Sequence, residues 1–407
     1  MKRLIRYMLS FFLTISITMS SVYGMCTYVS AKDYSIMSEN DINSKAAVVI
    51  EGSTGEILFE KNKDEELMLA SVTKVMTLLL IFEELKSGKI SLNDSVSVSE
   101  YAASMGGSQV FLEPGETQTV DTMIKCISIS SANDAAVAMA EHISGSEAAF
   151  VEKMNNKAKS LGMNHTHFIN CNGLDDDITS GHYSSAYDIA LMSRELVVNH
   201  PEISDYSTVW MDSFIHKNSK GVESEFGLTN TNKLIRSYNG ITGLKTGSTS
   251  KAKYCLSATA KRDNINIISV ILAAPDHKTR FAEAARLLDY GFSRCSSYKD
   301  NHSDFASEPV KVRGSLINEI TCRPENEFVH IFTDGEDTSL IEKNISVNDT
   351  VQAPIKEGDT VGKITYSYNG KEIGSVNLIA EKAAEAATFP DYYKKLISNY
   401  ISLRYCL

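Results

Sequence analysis

The sequence holds no CxxC pair, no glycine-rich phosphate loop, no internal repeat and no surplus of positive charge. Each absence removes a class of protein. Scattered cysteines without short pairs offer no thiolate metal centre. Without a glycine-rich turn there is no cradle for nucleotide phosphates. A formal net charge of -11 repels a phosphate backbone and argues against nucleic acid as a partner. Beyond residue 31 the cysteines are Cys126, Cys171, Cys255, Cys295, Cys322 and Cys406. A chain of 407 residues is long enough for two domains with a sizeable core. It has no need of a disulfide framework, and these cysteines read mostly as small buried hydrophobes. Nothing in the composition asks for a metal or a cofactor.

What is present starts with an address. Lys2, Arg3 and Arg6 precede a mostly apolar stretch over 8–22, and Val29-Ser30-Ala31 offers small residues for cleavage. Residues 1–31 therefore read as a secretory signal peptide, which places the mature protein outside the cytoplasm. Its removal takes away three positive charges and no acid, leaving the body more acidic still.

The chain is organised around Leu69-Ala70-Ser71-Val72-Thr73-Lys74-Val75-Met76. The following run, with Leu78, Leu79, Leu80, Ile81 and Phe82, is apolar on every side and free of glycine and proline. It predicts a buried helix beginning near Ser71. Residues three apart share a helix face, so Ser71 and Lys74 are neighbours. An ammonium inside an apolar helix loses hydration and its pKa falls. A lysine so placed is neutral near pH 7 and takes the proton from a serine hydroxyl. Alone, this spacing is common, because serine caps helices and lysine lines their solvated faces. It needs support from the rest of the chain.

Ala46-Ala47-Val48-Val49-Ile50 and Glu56-Ile57-Leu58-Phe59 flank a Gly52-Ser53-Thr54-Gly55 turn and predict a hairpin. Apolar spacing predicts helices over 120–129, 134–143, 148–161, 185–199 and 279–290, with Ser131 and Asn133 in the break between the first two. Residues 87–119 read as loop-rich and 200–233 as irregular or extended. Strands are expected over 241–247, 254–259 and 265–273. Residues 296–307, rich in Ser, Asp and Asn, read as a linker. Beyond them, short alternating segments with turns at Asp334-Gly335, Glu357-Gly358-Asp359 and Asn369-Gly370 predict a small all-β domain. The expected organisation is α+β: a first domain over 44–295, a β domain over 308–382 and a tail over 388–407.

Three signals then line up: Ser71-x-x-Lys74, Ser131-Ala132-Asn133 and Lys245-Thr246-Gly247. Their order, separation and settings (a helix start, a break between helices, a strand at a sheet edge) match the set found in serine β-lactamases and penicillin-binding proteins. Beside them stand Ser131-Ala-Asn-Asp-Ala-Ala-Val-Ala-Met-Ala, His167-Phe-Ile-Asn, Asn172-Gly-Leu and His182-Tyr-Ser-Ser-Ala-Tyr-Asp-Ile-Ala. On these residues the stretch from about 46 to 292 resembles a serine-type D-alanyl-D-alanine carboxypeptidase, a low-molecular-weight penicillin-binding protein. The β domain resembles the C-terminal domain that this group carries. The resemblance implies a β-lactamase/transpeptidase-like catalytic domain, an antiparallel sheet with a helical cluster, and no cofactor. It implies peptidoglycan pentapeptides ending in D-Ala-D-Ala as substrate and β-lactams as covalent inhibitors.

The roles that follow are specific. Ser71 attacks the penultimate D-alanine carbonyl and Lys74 is its base. Ser131 relays a proton to the leaving amine, and Asn133 orients Lys74 and the substrate amide. Lys245 and Thr246 meet the terminal carboxylate, Gly247 lets the substrate lie against its strand, and the Ser71 and Ser248 amides form the oxyanion hole. The resemblance also implies that Arg280 helps hold the carboxylate. Ala132 stands where many relatives have Gly or Asp, and no glutamate is placed like the deacylating one of class A β-lactamases, which disfavours efficient β-lactam hydrolysis.

Other readings are a β-lactam sensor or wall-binding protein without turnover, and a zinc D,D-peptidase using His165, His167, Asp175, Asp176, Asp177 and His182. In the tail, Tyr393, Leu396, Ile397, Tyr400 and Leu403 share one helical face and Lys394, Lys395, Ser398 and Asn399 the other. That pattern fits a helix lying on an anionic membrane surface, or one docked on its own domain.

Overall fold

Ala46–Glu51 (β1) pairs antiparallel with Ile57–Lys61 (β2), and every residue of β1 is buried. The computed structural model describes residues 37–175, 180–217, 221–307, 309–333 and 336–404. The signal segment, Asp176, Asp177, the Asp334-Gly335 turn, Cys406 and the last three tail residues lie outside them.

After β2 comes a 3₁₀ turn, Ala70–Thr73, and then Lys74–Lys86 (α1). The sequence reading began this helix near Ser71; the α-helix begins at Lys74. The cause is local. Ala70 takes a left-handed φ of 47°, and the chain enters the helix through the tighter turn. In 3₁₀ geometry residues three apart eclipse one another, so Ser71 and Lys74 meet all the same.

Ser95–Ser97 (β3), Glu100–Ala103 (α2) and Thr117–Thr119 (β4) give local order to a stretch read as loop. Val120–Ile129 (α3), Asn133–Ser144 (α4), Glu147–Ser160 (α5) and Ala186–Asn199 (α6) build a helical cluster around α1. Hydroxyls of Thr119, Ser146 and Ser185 cap α3, α5 and α6 by accepting an amide three residues on, which satisfies backbone donors the helices leave open. Ser204–Ser207 (α7) follows, then Met211–Lys217 (β5) and Glu223–Thr229 (β6), a hairpin inside the region read as irregular or extended.

Ile241–Thr249 (β7), Lys253–Arg262 (β8) and Ile265–Ala274 (β9) complete a five-stranded antiparallel sheet in the order β2-β1-β9-β8-β7. The motif strand β7 is therefore an edge. His277–Arg294 (α8) packs on β1, β2, β8 and β9, while α6 packs on β1, β8 and β9. That cover is why the inner strands read as continuous apolar runs.

Ser296–Asp300 (β10) corrects the linker reading of 296–307. Val310–Arg313 (β11), Glu319–Ile320 (β12), Cys322–Pro324 (β13) and Phe328–Phe332 (β14) follow, and β10 pairs antiparallel with β14. Its polar composition hid it. Asp300 is engaged by Lys343 Nζ at 2.8 Å and accepts from Tyr366 Oη at 2.7 Å, so the strand needs no apolar signature. Ile341–Val347 (β15), Thr350–Gln352 (β16), Thr360–Tyr368 (β17) and Lys371–Ala380 (β18) complete the β region. The β17–β18 hairpin turns at Asn369 and Gly370, with φ of 50° and 75°. In its core the Phe328 and Tyr366 rings stack at 3.8 Å. Phe389–Arg404 (α9) ends the described chain. The described cysteines Cys126, Cys171, Cys255 and Cys295 are free thiols, all but Cys295 buried, and Cys322 is buried in the β region.

Candidate active site

The Lys74 amine is buried among three oxygens: Ser71 Oγ at 3.0 Å, Asn133 Oδ1 at 2.5 Å and the Asn172 carbonyl at 2.6 Å. Burial holds its pKa down to about 7, against the raising influence of Cys171 and Asp134. The partner set suits a neutral amine, which has two N–H groups and one lone pair. Amide and carbonyl oxygens only accept, so they take the two N–H groups. The lone pair is left for the one neighbour that carries a proton, the Ser71 hydroxyl.

Asn133 opens α4, and its Nδ2 donates to the Gly106 carbonyl at 2.7 Å, which leaves Oδ1 aimed at Lys74. Ser131 occupies the corner before it, buried, with a left-handed φ of 64° that is uncommon outside glycine. Ala132 is fully buried in the core, so the corner takes a small residue there.

The third segment arrives on β7. A Cβ at Gly247 would lie 2.7 Å from the Leu69 carbonyl oxygen and 3.0 Å from the amide nitrogens of Ser71 and Val72. Only glycine lets the strand come this close to the turn that carries Ser71. Lys245 is buried; that burial, then the charges of Lys74 and Arg280, hold its pKa well below the ordinary lysine value. Thr246 Oγ1 donates to Thr231 Oγ1 at 2.7 Å. Ser248 is exposed at the open end of the strand.

Arg280, in the first turn of α8, spends Nη1 on the carbonyls of Gly247 at 3.0 Å and Cys255 at 3.3 Å. Its guanidinium also lies over the Phe281 ring at 4.6 Å, and burial lowers its pKa to about 10. The side chain thus ties β7 to β8 as well as placing a charge behind Gly247. Arg280, which stays cationic, together with the N–H groups of Lys245 on β7, makes this side of the cleft a place for an anion.

So Ser71, Lys74 and Asn133 are in direct contact, with Gly247 against the Ser71 turn and Arg280 hydrogen-bonded behind it. The sequence assigned no role at the site to several contributors, although Asn172, Gly173 and His182 stood in the motifs that carry the resemblance. His182 Nδ1 accepts from the Ile169 amide at 3.1 Å, so its proton sits on Nε2 and is donated to Thr73 Oγ1 at 2.8 Å. Thr73 in turn donates to the Ala70 carbonyl at 2.8 Å, beside the nucleophile position. Burial pushes the His182 pKa down to about 4, in keeping with this neutral tautomer. Gly173 lies equally close: a Cβ there would sit 2.0 Å from the Ala70 carbonyl oxygen. Asn172 contributes its backbone carbonyl, and Thr231 its hydroxyl. Of the alternative metal ligands, His182 is taken up as above and His167 and Asp175 are otherwise occupied, while Asp176 and Asp177 lie outside the described residues. His167 Nδ1 donates to the Gly181 carbonyl at 2.5 Å, and Asp175 accepts from Thr249. Among the described residues no three such groups gather.

A helical cluster on an antiparallel sheet, with a Ser–Lys pair beneath the edge strand, defines a serine hydrolase of the penicillin-recognising class. A family model described as D-alanyl-D-alanine carboxypeptidase matches residues 33–276, and one described as the penicillin-binding protein 5 C-terminal domain matches 302–386. The chain is 42% identical over 365 residues to D-alanyl-D-alanine carboxypeptidase DacF of Bacillus subtilis, covering 89% of this chain and 91% of that one. Penicillin-binding protein 5 of Haemophilus influenzae superposes with a TM-score of 0.61 at 29% identity, covering 86% of this chain and 100% of that one. Penicillin-binding protein D2 of Listeria monocytogenes, solved in the ampicillin-bound form, does so at 0.51 and 32% identity, covering 62% and 98%. The chain belongs to the D-alanyl-D-alanine carboxypeptidases, the low-molecular-weight penicillin-binding proteins. It is an enzyme, a serine-type D-Ala-D-Ala carboxypeptidase.

Proposed function

We propose that Ser71 Oγ attacks the carbonyl of the penultimate D-alanine of a peptidoglycan stem peptide while Lys74 takes its proton. The Oγ–C bond forms as the C–N bond to the terminal D-alanine breaks. The proton passes by way of Ser131 to the leaving amine, and water then hydrolyses the ester. The Ser71 and Ser248 amides stabilise the developing oxyanion, for which one donor is typically worth about 3 kcal/mol. Lys245 and Thr246, with the charge of Arg280 behind them, receive the terminal carboxylate. A β-lactam follows the same first step, a reading supported by the ampicillin-bound relative. The observation that carries the assignment is the three-oxygen setting of Lys74, which leaves a lone pair for Ser71. Mass spectrometry after incubation with benzylpenicillin tests it: the adduct belongs on the peptide that contains Ser71, and an adduct elsewhere sinks the assignment.

The stretches read as a domain over 44–295, a β domain over 308–382 and a tail over 388–407 fit a catalytic unit, a spacer and a surface contact. On α9, Phe389, Tyr393, Leu396, Ile397 and Tyr400 are exposed. Lys394 and Lys395 share the helix, while none of the described helices is long and apolar enough to cross a membrane. This supports an exported enzyme held at the outer face of the cytoplasmic membrane by an interfacial helix. Deleting residues 388–407 is expected to move the protein from the membrane fraction to the soluble fraction with D-alanine release retained. An unchanged membrane content rejects the anchor.

A further inference from the structure

Phe111 is an oddity. Its φ is 60°, a left-handed value that is an outlier for a bulky residue, and its side chain is 62% exposed. A strained backbone that presents an aromatic ring to water costs stability and persists only where surrounding structure enforces it. Here it is enforced from the catalytic corner. Asp134, fully buried one residue after Asn133, accepts from the amides on both sides of Phe111: Val110 N at 3.1 Å and Leu112 N at 3.1 Å. Asn133 holds the start of the same segment, its amide donating to the Ser108 carbonyl at 2.7 Å and its Nδ2 to the Gly106 carbonyl. Residues 106–112 are thus pinned to the two residues that follow Ser131-Ala132.

The ring has one backing. Phe226 of β6 meets it edge-on, centroids 6.0 Å apart. Phe226 leans in turn on Phe214 and His216, and His216 Nδ1 lies 3.0 Å from the buried Glu116. Gln118 Nε2 also donates to the Ile215 carbonyl at 2.8 Å, so the hairpin is bound to the segment that follows Phe111. Past Phe226 the chain reaches Thr231, which is bonded to Thr246. The aromatic pair thus joins two segments that are each tied to a cleft residue, 106–112 through Asn133 and 226–231 through Thr246.

We propose that Phe111, backed by Phe226, is a substrate-contacting residue that packs on the aliphatic side chain of the residue preceding D-Ala-D-Ala. The terminal carboxylate is drawn towards Lys245 and Arg280, so the acyl portion leaves the cleft the other way, past Asn133 and the segment pinned to it. An aromatic face offers a large apolar contact at little entropic cost, suited to the methylenes of a long side chain. This inference rests on the Ser71 assignment and adds a specificity element to it.

The test compares two peptides on the full-length enzyme: Nα-acetyl-Gly-D-Ala-D-Ala, with no side chain at the position in question, and Nα,Nε-diacetyl-Lys-D-Ala-D-Ala. For Phe111→Ala, kcat/KM on the lysyl peptide is expected to fall roughly tenfold further than on the glycyl peptide, mainly through KM. Phe111→Tyr, which keeps the ring, restores the wild-type ratio. An equal loss on both peptides makes Phe111 merely structural and overturns the proposal, as does no loss on either. If Phe111→Ala does not fold, Phe111→Leu is read by the same ratio. Wild-type enzyme that cleaves neither peptide counts against the Ser71 reading instead.

Discussion

Replacing Ser71 by alanine is expected to lower D-alanine release by roughly four to six orders of magnitude, because nucleophile and base act as one unit and losing either removes most of the rate. The fold should barely register the change. Ser71 is half-buried on its 3₁₀ turn, and its hydroxyl is bonded to the Lys74 amine. Removing one such bond at a site open to water costs about 1 kcal/mol or less. The measurement is chromatographic detection of D-alanine from a D-Ala-D-Ala peptide, beside benzylpenicillin labelling and a thermal melt. Wild-type turnover in Ser71→Ala with an unshifted melt would overturn the mechanism. Full penicillin acylation of wild type without D-alanine release would instead point to a sensor.

The second large effect is carried by protons. With the Lys74 pKa near 7, acylation by benzylpenicillin should fall about tenfold for each pH unit below that value, since a protonated amine has no lone pair for the Ser71 proton. Above it the rate should level off. Lys74→Arg, charged at every accessible pH, is expected to lose roughly 10²–10⁴-fold and to abolish the limb near pH 7. Lys74→Ala loses as much and also strands Asn133 Oδ1 and the Asn172 carbonyl, each orphan costing about 1–3 kcal/mol. Stability has its own sign. The folded pKa is below the unfolded one, so between about pH 7 and the ordinary lysine value the unfolded chain holds the extra proton. The cost of burying Lys74 is therefore fully present below about pH 7 and fades as pH rises towards the ordinary value. Stopped-flow acylation from pH 5 to 9 checks the kinetic claim; a flat profile defeats it.

How much of this was legible in advance differs by residue. Ser71 and Lys74 were readable because three-residue spacing survives either kind of helical turn, even though the α-helix starts later than its apolar run suggests. Gly247 was readable because a glycine in a strand marks a close approach. Asn172 and His182 stood in the motifs of the resemblance, but their contacts were not readable, nor were those of Thr73 and Thr231, because these bonds join separate stretches of the chain: the His182–Thr73 bond spans 109 residues. Asp134 was visible in the sequence as part of a motif, but its hold on both flanks of Phe111 depends on a backbone turn that no side-chain pattern announces. The β1–β2 hairpin was written in its apolar segments and the Gly52 to Gly55 turn, whereas β5–β6 lay in a stretch read as irregular or extended. The pairing of β1 with β9, from opposite ends of that domain, rests on burial that a local window does not see. β10 escaped because its charged side chains are paired, Lys299 with Glu327 and Asp300 with Lys343, and only Tyr298 packs on the core.

The order of the five-stranded sheet also fixes which edge the β region hangs from. β7 is one edge; β2 is the other, and Glu56, beside β2, accepts from Thr333 at the end of β14. Four inter-strand steps put these edges about 19 Å apart. The β region is thus hung from the side remote from the cleft, like a handle opposite a blade. Whatever grips that handle pulls on the β2 edge and not on the edge strand that carries Lys245, Thr246 and Gly247.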